Sequence, residues 1–150
     1  MVSQENLEMI AADPRSFLGQ CFKLEQRIKV KKQRIDHLRQ ISIQITSSVK
    51  PVSAYTGPSD KIGNCAIEIT ALTQEIEEEI IRMLRLQHEV ADAIFELVPN
   101  QTQRAVLEAR YLSGMSWEEI AYNMHYAYRW VLRLHKNGLA AMKENANGLG

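Results

Sequence analysis

Arg129 and Arg133 stand four residues apart in YRWVLRLHK, residues 128 to 136. On a helix, that spacing puts both guanidinium groups on one face. A guanidinium can donate a bidentate pair to guanine O6 and N7 or hold a phosphate, so the chemistry on offer is that of a nucleic-acid contact. Tyr128 and Trp130, on either side of Arg129, can meet thymine methyls, sugars or phosphates. From Ala127 to Lys143 the chain carries four cations (Arg129, Arg133, Lys136 and Lys143) and no anion. This positive face has no partner within its own segment. The plainer alternatives are a solvated basic helix or one that binds an acidic protein.

Elements that could position these groups are legible just upstream. Asn100 and Gln103 form a cap pair, followed by an apolar face of Ala105, Val106, Ala109 and Leu112 and a turn at Ser113-Gly114. Ser116-Trp117-Glu118-Glu119 is a capping box in which the Ser116 oxygen accepts the Glu119 N–H and the Glu119 carboxylate reaches back. A short helix is expected over 117–124, then a turn of His125, Tyr126 and Ala127, then a long helix with Val131, Leu134 and Gly138 facing inward. Two helices about a tight turn are the helix-turn-helix pattern that docks in the DNA major groove.

A second basic run, KVKKQR at residues 29–34, lies in a different setting. Apolar residues recur at three-and-four spacing from about 15 to 46 (Cys21, Leu24, Ile28, Ile35, Leu38, Ile45), with Lys31 and Ser42 interrupting. The pattern repeats from about 64 to 98 (Cys65, Ile69, Leu72, Ile76, Met83, Leu86, Val90, Leu97), with Glu79 interrupting. Residues 15–50 carry a net charge of +7 and residues 64–98 a net charge of −6. Antiparallel pairing with Ile35 facing Leu72 and Leu24 facing Met83 brings Glu75 to Glu79 alongside KVKKQR. That run is therefore read mainly as half of an internal seam, with a supplementary DNA arm as the alternative. The same register separates Cys21 from Cys65, and both are expected as buried free thiols.

The expected fold is all-α: a long antiparallel coiled-coil-like helical hairpin over 15–98, with a loop at 47–63, followed by a three-helix unit over 99–143. Residues 1–14 are expected to be flexible and 144–150 disordered. The 18 cations and 18 anions cancel, so bulk charge favours no partner. No signal-like run opens the chain, and no segment approaches the roughly 20 apolar residues that span a bilayer. No membrane partner and a cytoplasmic location are expected. The four histidines fall in no metal-ligand motif, and no phosphate loop or nucleophile elbow is present. Neither catalysis nor a cofactor is expected.

RAVLEARYLSGMSWEEIA, the turn after it, and VLRLHKNGLAAM resemble region 4 of sigma-70-type factors, the helix-turn-helix that reads the promoter −35 element. The two-helix segment with its SDKIG stretch is similar to a family of small phage and prophage proteins related to the RinA and ArpU late-gene regulators. The first resemblance implies that Ala127, Tyr128, Arg129 and Arg133 face the groove, and that Ser116, Trp117 and Glu119 form the cap. It also implies that His125 stands where glycine is usual and must bear a left-handed backbone. Ala127 stands where a serine or threonine commonly caps the recognition helix. Residues 1–98 show no promoter-melting domain, so a stand-alone sigma factor is not expected. The function implied is a DNA-binding phage or prophage transcriptional regulator whose helical segment dimerises or contacts RNA polymerase. A small terminase subunit and a protein-only helical adaptor are the alternatives. A dimer would favour regulation, a ring packaging.

Overall fold

The computed structural model describes residues 1–48 and 57–149, and among these it is all-helical, with no strand. The helices are α1 (Gln4–Ala12), α2 (Pro14–Leu18), α3 (Gln20–Ser48), α4 (Gly57–Leu97), α5 (Gln101–Tyr111), α6 (Trp117–Met124) and α7 (Tyr128–Leu149). By contacts the chain divides into two compact units, one of residues 1–23 and 83–150, the other of residues 24–82. The boundary expected at residue 99 is therefore not where the chain divides. The ends of the two long helices belong with the C-terminal helices.

In the first unit, residues 1–14 fold instead of remaining flexible. The Ser3 hydroxyl accepts the Asn6 N–H at 3.2 Å and starts α1. Asp13 then accepts the Ser16 N–H at 3.2 Å, with Pro14 in the first turn of α2, where its missing N–H costs nothing. Leu7 and Ile10 join Phe17, Leu18, Cys21, Val90, Ile94, Leu97, Leu107, Tyr111, Met142 and Ala146 in one core. The expected first helix from residue 15 is interrupted at Gly19, so α3 begins at Gln20.

The C-terminal residues also depart from expectation. Residues 144–149 continue α7, with Ala146 fully buried, and the Asn145 side-chain amide donates to the Leu97 carbonyl at 2.7 Å. That bond satisfies an acceptor that the end of α4 leaves open.

In the second unit, α3 and α4 meet through Leu24, Ile28, Ile35, Leu38, Cys65 and Ile76, all buried. Ion pairs cross the seam: Arg27–Glu79 at 3.2 Å, Lys31–Glu79 at 2.8 Å, Lys31–Glu75 at 3.2 Å and Arg34–Glu68 at 2.9 Å. Partner numbers fall along α4 as they rise along α3. Glu79 is buried, and the Lys31 ammonium bonded to it holds its carboxyl below the usual range, while Glu79 in turn raises Lys31. Both cations use Glu79 Oε1, which leaves Oε2 buried without a partner. Both cysteines are buried and neither forms a disulfide. Of the loop expected at 47–63, Ser47 and Ser48 end α3 and residues 57–63 open α4, while 49–56 lie outside the described residues. No helix among the described residues is long and apolar enough to cross a membrane.

Candidate functional site

The basic segment is held by three successive helices of the first unit, each with a locally encoded start or stop. The Asn100 side chain accepts the Gln103 N–H at 3.0 Å and opens α5. The chain reverses at Gly114, whose φ of 68° suits a residue without Cβ. At α6, Ser116 Oγ accepts the Glu119 N–H at 3.2 Å and Glu119 Oε2 accepts the Ser116 N–H at 3.1 Å, a complete capping box. His125 closes α6 in the left-handed region, at φ 57° and ψ 38°. α7 starts at Tyr128, with the Trp130 and Val131 N–H groups donating to the Ala127 carbonyl at 2.9 and 3.1 Å. Ala127 has no side-chain oxygen to add a cap.

Under the turn lies a small core of its own. Val106 from α5, Ile120 from α6, and Val131 and Leu134 from α7 are buried together, with Met115, Trp117, Ala121 and Met124 at its edge. On α5 the buried residues are Val106, Leu107 and Tyr111, whereas Ala105, Ala109 and Leu112, expected on its apolar face, are only half-buried. Gly138 permits close approach of α7 to α5, because a Cβ there would meet Leu107 Cδ1 at 3.1 Å.

A second set of contacts ties α7 to the turn before α6. His135 is buried, with Nε2 2.7 Å from the Tyr111 hydroxyl and its ring 4.6 Å from that of Trp117 in an edge contact. The Arg110 guanidinium covers the Trp117 ring at 4.4 Å and donates to the Met115 carbonyl at 3.0 Å. Burial, with the Arg15 and Arg110 charges nearby, pushes His135 down to about 4. Burial raises the Tyr111 phenol, so both partners are neutral near pH 7. Trp117 is thus part of this packing as well as the first residue after the cap. Sequence reasoning set His135 aside as lying in no metal motif. It stands four residues after Val131, three before Gly138 and seven before Met142, and that helical spacing was the available signal.

What this scaffold presents is an uninterrupted exposed run from His125 through Trp130. Ala127, Tyr128, Arg129, Trp130, Arg133 and Lys136 are all exposed, and Arg129, Arg133 and Lys136 lie on the side of α7 opposite the buried Val131, Leu134, Gly138 and Met142. Arg133 sits 5.9 Å from the Trp130 ring centre. Among the described residues no carboxylate pairs with Arg129, Arg133 or Lys136. Two aromatics that the motif did not single out extend the same region: Tyr122, 81% exposed near the end of α6, and Tyr126 in the turn.

No curated protein and no solved structure matches the chain significantly. The family model described as Protein of unknown function (DUF722) matches residues 22–143, most of the chain, and the protein therefore belongs to that family.

Proposed function

We propose that the protein is a sequence-specific DNA-binding transcriptional regulator of phage or prophage type, in which α6 and α7 form a helix-turn-helix. The start of α7 enters the major groove. Arg129 and Arg133 read base edges or clamp phosphates, Tyr128 and Trp130 contact sugars and methyls, and Lys136 fixes position on the backbone. The long helices, an antiparallel hairpin in this reading, supply dimerisation or a contact to RNA polymerase.

One contrast carries the reading. Of the basic run at 29–34, Lys31 and Arg34 are paired with glutamates of α4 while Lys29 and Lys32 are exposed; on the outer face of α7, Arg129, Arg133 and Lys136 are all exposed and, among the described residues, none is paired with a carboxylate. Unpaired guanidinium groups on a rigid exposed helix face are free to meet phosphate and base edges.

The test is fluorescence anisotropy of the protein on fragments of its source genome across a salt series, with Arg129→Ala/Arg133→Ala and Lys31→Ala/Lys32→Ala variants alongside. Tight, salt-sensitive binding to particular fragments, lost with the first pair and kept with the second, is expected. Loss with the lysine pair alone would move the contact to α3. No binding by any form would leave a protein-only adaptor as the better reading.

A further inference from the structure

The stretch of α4 from Leu84 to Phe95 has two apolar faces, only one of which is covered. Val90, Ala93 and Ile94 are fully buried in the core of the first unit. On the opposite side, Leu84 is 52% and Phe95 67% exposed. Leu84, Gln87, His88 and Ala91 line an open groove of about 280 Å³, bordered by Leu112. Their spacing, i, i+3, i+4 and i+7, is that of the four residues which form a hole for one side chain of a facing helix in knobs-into-holes packing. Phe95, one turn beyond Ala91 on the same face, is a knob with no hole. The Arg104 guanidinium lies 4.8 Å from its ring centre and still leaves it largely open.

We infer that this face is a homodimer interface, in which α4 of a second copy packs antiparallel and each Phe95 enters the other copy's groove at Leu84, Gln87, His88 and Ala91. Knob and hole lie on one face of one helix about two turns apart. A two-fold axis near Ala91 therefore matches both at once, as an isologous contact requires.

The charges beside the stripe select the same arrangement. Arg85, Glu89, Asp92 and Glu96 lie along one flank, with the cation at one end and the anions beyond it. In an antiparallel pair, like flanks face each other, so Arg85 of each copy meets Asp92 and Glu96 of its mate. In a parallel pair that flank would instead face the Gln87 side, which offers no charge. Arg85 has no ion pair among the described residues; Asp92 and Glu96 already face the Met1 ammonium at 3.9 and 3.2 Å, and with the Asp92 side chain 57% exposed the mate's Arg85 joins that cluster as a second cation.

Sedimentation equilibrium of the full chain without DNA tests this, and its result stands apart from the DNA-binding reading. The expected behaviour is a reversible monomer–dimer equilibrium that Phe95→Asp weakens by about tenfold or more, the scale of losing a central aromatic anchor, with helicity unchanged because Phe95 is exposed. Arg85→Glu alone should also weaken the dimer, and Arg85→Glu combined with Asp92→Arg should recover part of the loss, since the exchange rebuilds the 85–92 pair in both copies while the contact with Glu96 stays unfavourable. A chain that stays monomeric at every concentration, or a dimer indifferent to Phe95→Asp, overturns the proposal. Failure of the double variant to recover overturns the antiparallel register.

Discussion

The Tyr111 hydroxyl lies 2.7 Å from His135 Nε2, joining the end of α5 to the middle of α7 inside the first unit. The imidazole is held neutral in the fold, down to about 4 from an unfolded value of 6.5. As pH falls through 6.5 the unfolded chain takes up a proton that the folded chain refuses, so stability drops between about 6.5 and 4 and levels off below. The loss should reach at most about 3 kcal/mol, at 1.36 kcal/mol per unit. Urea unfolding at pH 7 and pH 4.5 measures it. His135→Gln should be less stable at pH 7 but should lack most of this slope. An unchanged slope in that variant would place the acid sensitivity elsewhere.

His125 adopts a left-handed backbone at φ 57°, a conformation that costs an L-residue roughly 1–2 kcal/mol relative to right-handed helix. Replacing it with glycine removes the clash but adds freedom to the unfolded chain, so a net gain of roughly 0.5–1 kcal/mol is expected. Thermal melts should show a higher midpoint for His125→Gly and a lower one for His125→Val, whose branched side chain fits this region worst.

At Gly138 the helix and the interface ask for different residues. Alanine would gain about 1 kcal/mol of helix propensity and lose a similar amount by crowding Leu107 Cδ1 at 3.1 Å, leaving stability close to the starting value. Valine keeps the overlap and adds more, so Gly138→Val should cost about 2 kcal/mol. Denaturant midpoints distinguish the two.

Glu79 is a buried carboxylate with one satisfied oxygen and one orphan. Removing Glu79 without its partner, as in Glu79→Ala, leaves Lys31 facing the seam without its main counter-charge and should destabilise the protein. Exchanging both members, Lys31→Met with Glu79→Leu, removes the orphan and the desolvation together and should match or exceed the starting stability. If the double exchange were as damaging as the single one, the polar layer would be contributing net stability.

Within the DNA-binding reading, Arg129 and Lys136 should fail differently. Arg129→Ala should reduce discrimination between preferred and altered sites by about 1–3 kcal/mol, as expected for a bidentate base contact. Lys136→Ala should weaken all sequences alike and lower the slope of log affinity against log salt by about one. Anisotropy on matched and mutated duplexes across salt gives both quantities.

The features that sequence reasoning placed well are the ones made by a few neighbouring residues. The Ser116 and Glu119 box, the Asn100 cap, the left-handed His125 and the limits of α6 each depend on side chains within four positions. The Lys31 pairs with Glu75 and Glu79 followed from heptad spacing plus opposite net charge, whereas Glu68, which Arg34 meets, lies outside the expected run of partners. Residues 1–14 carry local signals of the same kind, the Ser3 and Asp13 caps with Pro14 after the second, and Leu7 and Ile10 as a short apolar face, which the flexible reading left unused. Residues 144–149 differ: the end of α7 contributes only the small Ala146 to the core, with Asn145 bonded to Leu97, and that depends on distant packing. The loop expected at 47–63 extends too far, because α4 begins at Gly57 and Pro58 falls in its first turn, where proline is tolerated. His135 was passed over because an imidazole was weighed as a metal ligand and not as a neutral, hydrogen-bonded core residue.

The Asn145 bond to the Leu97 carbonyl bears on how the basic face can move. α7 presents Arg129 and Arg133 at its start, passes beside α5 at Gly138, and is tied to α4 at its far end. It is anchored like a spindle in two bearings, so it cannot roll or tip without breaking a packed contact or that bond. The arginines are aimed by the body of the first unit, and any adjustment to a curved or irregular surface falls to their own side-chain torsions and not to a swinging helix.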